Sequence, residues 1–183
     1  MDNYEIGIPI YNVDEMRRIV EEFAGMVSES SEQFFGCVVA IDVWVCANRK
    51  PYKKETKNQR KYRNKKILWG IAVLAGCDAR EKSMMLSCNG SGSANDALAW
   101  RWSRIKTEVL SLYDGTFPSL LPLNYFFIGD EAFVCERQFI VPLGGRGIGE
   151  SEDAFNFHLS ARQQVVERAF GILTRRWVVG TNK

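Results

Sequence analysis

The chain predicts an α/β domain, a mixed sheet flanked by helices, from three features. Apolar runs of strand length, GCVVAIDVWV from residue 36 and ILWGIAVLAGC from residue 67, come early, and a short one, YFFIG, begins at residue 125. Stretches with helical spacing of apolar residues stand at both ends and in the middle. Three acids, Asp42, Asp130 and Glu167, sit among apolar residues. With 183 residues and 46% hydrophobic content, the chain is the size of one domain with a substantial core. It holds no apolar run of about eighteen residues and no signal-peptide pattern, so a soluble intracellular protein with no membrane partner is expected.

The elements follow in order. Asn12 is placed to cap a helix running to about Ser30, with Met16, Ile19, Val20, Phe23 and Val27 on its apolar side. Residues 1–35 are thus expected to form an N-terminal helical segment outside the main core, and 36–183 the main domain. Strands are predicted near 36–47, 67–77 and 83–88, an antiparallel meander, with Ile67, Trp69, Ile71 and Val73 on one face of the second. A helix over 96–113 carries Leu98, Trp102, Ile105, Val109 and Leu112, and Gly115 is placed to end it. The strand closing at Asp130 comes next. Residues 134–157, with Pro142, Gly144, Gly145, Gly147 and Gly149 ahead of Glu150, Glu152 and Asp153, read as a mobile surface insert. GGRGIG lacks the strand, the helix and the Lys-Ser/Thr of a phosphate loop, although Arg146 could approach DNA. His158 then opens a final helix with a stripe through Leu159, Val166, Phe170, Leu173 and Trp177, widened by Val165, Ala169 and Ile172. Cys37, Cys46, Cys77, Cys88 and Cys135, odd in number and scattered, read as reduced core residues, and with one histidine and no C-x-x-C a zinc finger is not expected.

Each acid has a bland reading as a cap, a turn residue or a solvated charge. Alternation along the first strand sets Val39, Ile41, Val43 and Val45 on a core face and Ala40, Asp42, Trp44 and Cys46 on the other. A carboxylate flanked by apolar residues costs several kcal/mol unless a metal, a basic partner or water meets it. Asp130 emerges after Gly129, which permits close backbone approach. Glu167 stands at the polar edge of the last helix. An Asp on a strand, an Asp at a strand end and a Glu on a late helix resemble the layout by which an RNase H-like nuclease gathers ligands for paired divalent cations. Two hard cations held by carboxylates about 3.5–4 Å apart stabilise both oxygens of an in-line phosphodiester displacement.

The words GCVVAIDVWV, NRKPY, YRNKK, YFFIGDEAF and EDAFNFHLSARQQVVERAFGILTRRW, spread over residues 36–177, resemble the transposase domain of the PIF/Harbinger superfamily. That resemblance implies an RNase H-like DDE nuclease using Mg²⁺ or Mn²⁺, with Asp42 bridging both ions, Asp130 holding one and Glu167 the other. It also implies a nuclear location, DNA as partner and a separate Myb-like DNA-binding protein. Val43 replaces the family's Gly after the first acid, and Ser93-Ala94-Asn95-Asp96 replaces Ser-Thr-His-Asp. By that resemblance a closing helix would follow the Arg-Trp pair, so a truncation at the C-terminus is expected. The alternative is therefore a catalytically inactive transposase remnant that binds DNA or protein. By resemblance Asp96 is an auxiliary metal ligand; by its capping-box spacing it is a helix cap, and capping is favoured.

Net charge of +2 conceals an asymmetry. Residues 49–66 hold ten of the 24 basic residues and one acid, Glu55, leaving fourteen basic against twenty-one acidic residues elsewhere. Arg49, Lys50, Lys53, Lys54, Arg60, Lys61, Arg63, Lys65 and Lys66, with Tyr52 and Tyr62 interleaved, suit phosphate contacts. A solvated hairpin or an import signal is the plainer reading.

Overall fold

The computed structural model describes residues 4–6, 9, 12–26, 34–65, 68–109, 121–145 and 147–177. Strand β2 (Cys37–Ala47) is its central strand. On one side lie β3 (Gly70–Cys77), β4 (Ser83–Ser91) and β1 (Tyr4–Ile6), each antiparallel to its neighbour. On the other lie β5 (Phe126–Ile128) and β6 (Phe139–Ile140), both parallel. The order β1-β4-β3-β2-β5-β6 makes a six-stranded mixed sheet. The expected meander is present, and β2 is where the two pairing modes meet.

Helix α1 (Val13–Gly25) is capped as expected, the Asn12 side chain accepting the Glu15 N–H at 3.1 Å. Its face of Met16, Ile19, Val20 and Phe23 is at most 1% exposed. Those residues join β2, β5 and the last helix in one core, so α1 is an integral layer and not an outlying segment. The expected extension of α1 to Val27 and Ser30 lies outside the described residues.

Helix α4 (Glu150–Trp177) begins eight residues before His158. Glu150, Glu152 and Asp153 form its first turn, where negative charge meets the positive end of the helix dipole. Glu152 also accepts the Gly149 N–H at 2.8 Å, half of a capping box. The predicted mobile insert is thus largely structured. It supplies β6, and Asn156 of α4 bonds both the N–H and the C=O of Leu143 at 2.8 and 2.9 Å. His158 is consequently a mid-helix residue, and Arg146 lies outside the described residues.

The helix predicted over 96–113 divides into α2 (Asp96–Trp102) and α3 (Arg104–Val109). Ser103 adopts extended dihedrals and its hydroxyl accepts the Ile105 N–H at 3.0 Å, starting a new helix. The break re-aims the stripe: Trp100 is 1% exposed while Trp102 is 52% exposed. Leu112 and Gly115 lie outside the described residues. Among the cysteines, Cys37 and Cys77 are buried, but Cys88 and Cys135 are exposed, against the expectation of core positions; all five are free.

Arg162 of α4 is fully buried. Its guanidinium donates to Phe23 O at 3.0 Å, Ala24 O at 3.2 Å and His158 O at 3.0 Å, and stacks over the Phe34 ring at 4.1 Å. It answers carbonyls in the last turn of α1 and locks α1 to α4. Arg162→Leu removes these three bonds and the ring contact from a buried site, so a loss of about 3 kcal/mol in urea unfolding is expected.

Candidate acidic site on the sheet

The pairing of β2 with β5 places the first two acids. Ala40 lies opposite Ile128 in parallel register. Two residues further along each chain stand Asp42 and Asp130, on neighbouring strand lines that ordinarily run about 4.8 Å apart. Gly129 lets this happen: a Cβ there would fall 2.7 Å from the Phe139 ring and 2.9 Å from that of Phe133. The close approach expected of this glycine is what the packing uses.

The third acid arrives on α4. Trp44 shares a strand face with Asp42, and it stacks on Phe170 of α4 with centroids 5.9 Å apart. That face is therefore covered by helix. The first half of β2, Cys37 to Ile41, is buried throughout, so a single core face is too simple a description of it. Glu167 lies one turn before Phe170, and Gln163 one turn before Glu167. Gln163 is 7% exposed and its amide donates to Ile41 O at 2.6 Å, beside Asp42. The helix is thus pinned to β2 on both sides of Glu167. Gln163 lay unremarked in the sequence, since a polar residue inside ARQQVVER carries no local sign of burial. Gln163→Leu is expected to lower the urea midpoint by an amount equivalent to about 1 kcal/mol, the net value of one buried hydrogen bond.

Electrostatics link the acids. Burial pushes the Asp42 carboxyl up to about 7, the Val43 N–H opposes this, and the charges of Asp130, Asp96 and Glu167 push it further up. Asp130 is raised by burial and by Glu131, against the Ala132 N–H. Asp96 is raised by burial and by Asp130, while its own N–H and Lys65 pull it down. Asp96 is not the cap: Asn95 caps α2, accepting the Leu98 N–H at 2.9 Å. The capping expectation for Asp96 is corrected by one residue, which leaves this acid in the first turn of α2, within electrostatic reach of Asp42. Arg168, the basic neighbour of Glu167 in sequence, reaches across to Glu81 at 2.5 Å.

All donors here are carboxylates, the chemistry a hard cation prefers, and a positive charge would relieve the repulsion around Asp42. The side chains are nonetheless turned to local backbone donors. Asp42 Oδ1 accepts Val43 N–H at 2.7 Å and Asp130 Oδ1 accepts Ala132 N–H at 3.0 Å. Among the described residues no three Asp, Glu, His or Cys side chains form a ready cation-binding group. Donor type and backbone placement fit a divalent cation; the carboxylate rotamers do not already form a cage.

The basic segment is an ordered loop between β2 and β3. Glu55 takes Arg49 in a two-pronged pair, 2.6 and 2.9 Å, and also accepts the Tyr52 N–H at 2.8 Å. Lys50, Lys53, Lys54, Arg60, Lys61, Arg63 and Lys65 are exposed; Lys66 lies outside the described residues.

A mixed α/β sheet with Asp42 on its central strand, Asp130 just past the neighbouring strand and a cationic loop after the first of them defines the class of domain. A family model described as DDE superfamily endonuclease matches residues 41–182, and the chain belongs to that family of transposase-derived nucleases, which generally use divalent metals. No curated protein and no solved structure matches the chain. Among the described residues no helix is long and apolar enough to cross a membrane.

Proposed function

We propose that this chain is a divalent-metal-dependent DNA endonuclease of PIF/Harbinger transposase type with an RNase H-like fold. One observation carries the reading: the parallel β2–β5 register that sets Asp42 beside Asp130 in a site whose charges reach Asp96 and Glu167. The antiparallel β2–β3–β4 meander with parallel β5 and β6 on its other edge supports the RNase H-like part.

Asp42, Asp130 and Glu167 would hold Mg²⁺ or Mn²⁺, with Asp96 as an auxiliary ligand. When bound, the cations supply Lewis-acid stabilisation of the attacking and leaving oxygens of a phosphodiester. The chain's own groups do the remainder. Asp42 lies on β2 and Asp130 just past β5, each two residues beyond the Ala40–Ile128 pair, Gln163 and the Trp44–Phe170 stack pin α4 to β2 on both sides of Glu167, and the cations of the β2–β3 loop would bind backbone phosphates. A nuclear location and cooperation with a Myb-like DNA-binding protein belong to the same reading.

The test is nicking of supercoiled plasmid by the purified chain. Cutting is expected with Mn²⁺ or Mg²⁺ and none in EDTA. A second reading, a catalytically silent DNA-binding domain, is favoured by the lack of a ready cation-binding trio among the described residues. Retained DNA binding with no nicking under either cation would establish it and sink the first.

A further inference from the structure

We propose that the hollow around Trp69, in the loop joining β2 to β3, is a subsite for one unpaired base of a DNA strand and the phosphates that flank it. The inference rests on the nucleic-acid reading above and adds the form of the substrate. The cavity measures about 600 Å³, the size of a nucleotide-scale pocket, and Lys50, Arg60, Arg63, Lys65 and Trp69 line it.

Two cations already address the indole. The Lys50 ammonium lies 5.3 Å from the ring centroid and the Arg63 guanidinium carbon 5.9 Å from it. An indole with cations over its face is a stacking surface once a base takes their place, and the displaced charges take its phosphates. A base inside a duplex has no face to offer such a ring, so the hollow selects unpaired nucleotides.

The platform is firmly built. Trp69 pairs with Arg63 across an antiparallel bridge, and its carbonyl accepts the Asn48 N–H at 2.6 Å. Asn64 closes the turn between them, bonding Leu68 through both its N–H and its side-chain oxygen at 2.8 Å. Gln59 ties the opposite limb to Pro51 O at 2.6 Å. Glu55, the one acid in this segment, is taken by Arg49 and leaves the charge of the hollow in place.

The hollow has one electrostatic link to the acids. Lys65 lines it and is near enough for its charge to be felt at Asp96, which in turn responds to Asp130. An unpaired nucleotide seated in the hollow anchors a frayed or displaced strand.

The test is fluorescence anisotropy in EDTA with the full chain, using labelled oligothymidylate of about twelve nucleotides and a blunt duplex of equal length. Trp69→Ala is expected to lower the ratio of single-strand to duplex affinity about tenfold, the size of one lost base stack, and Trp69→Phe to keep most of it. Quenching of indole emission by the oligonucleotide should be reduced in Trp69→Phe, a readout that holds even if the Ala variant fails to fold. An unchanged affinity ratio in a folded Trp69→Ala, or quenching that is equal in wild type and Trp69→Phe, overturns the subsite. Binding is read without cation, so a negative nicking assay leaves this result standing.

Discussion

Asp130→Asn removes metal-dependent nicking, with an expected fall of about a thousandfold or to background, while the urea transition moves by less than about 1 kcal/mol. The reason is local. Asp130 sits beyond the end of β5, where its Oδ1 accepts the Ala132 N–H, a bond the Asn side-chain oxygen preserves. What Asn cannot supply is negative charge next to Asp42. Plasmid nicking with Mn²⁺, run beside denaturant melts of both proteins, separates the two effects. Full cutting by the variant would show that the chemistry lies elsewhere; loss of cutting together with unfolding would show that Asp130 is chiefly a turn residue.

Asp42→Asn is expected to stabilise the cation-free protein at high pH. Asp titrates near 3.8 when unperturbed and about 7 in the fold, where burial is the largest cause. Between those values the folded chain holds a proton that the unfolded chain has lost. Stability therefore falls as pH rises through this window, by at most about 1.4 kcal/mol per pH unit, and levels off above it. Asn carries no charge and escapes the loss. Allowing for partial solvent screening, the variant should exceed wild type by about 2 kcal/mol at pH 8 and match it below about pH 4. Urea unfolding in EDTA across that range reads it, and Mn²⁺ should narrow the gap at pH 8 by raising wild-type stability. Curves that stay parallel across the range would mean Asp42 is solvated like an ordinary surface acid.

Much of the fold was legible because its signals are local. The Asn12 cap, the β2 and β3 apolar runs and the α4 stripe each draw on residues within a few positions of one another. The misses share a different origin. Ser103 looked like one polar residue within a helix, yet a hydroxyl competes for backbone donors, and here it begins a second helix. The acids at 150, 152 and 153 looked like loop composition, although the dipole of a following helix is what they satisfy. Arg162 carries no local sign of burial, and only the ending of α1, far away in sequence, makes its burial favourable.

For the site, the chain by itself determined the cast: three acids in apolar surroundings, an ordered succession of strand, strand end and helix, and a block of positive charge after the first of them. Composition and short-range periodicity are properties of neighbours, and they survive in any conformation. The tertiary structure alone decided that Ala40 faces Ile128, that Gln163 reaches Ile41 and that Trp44 meets Phe170. Those are pairings between distant segments, chosen by the joint burial of surfaces that no single segment carries, and they turn separate carboxylates into one electrostatic site.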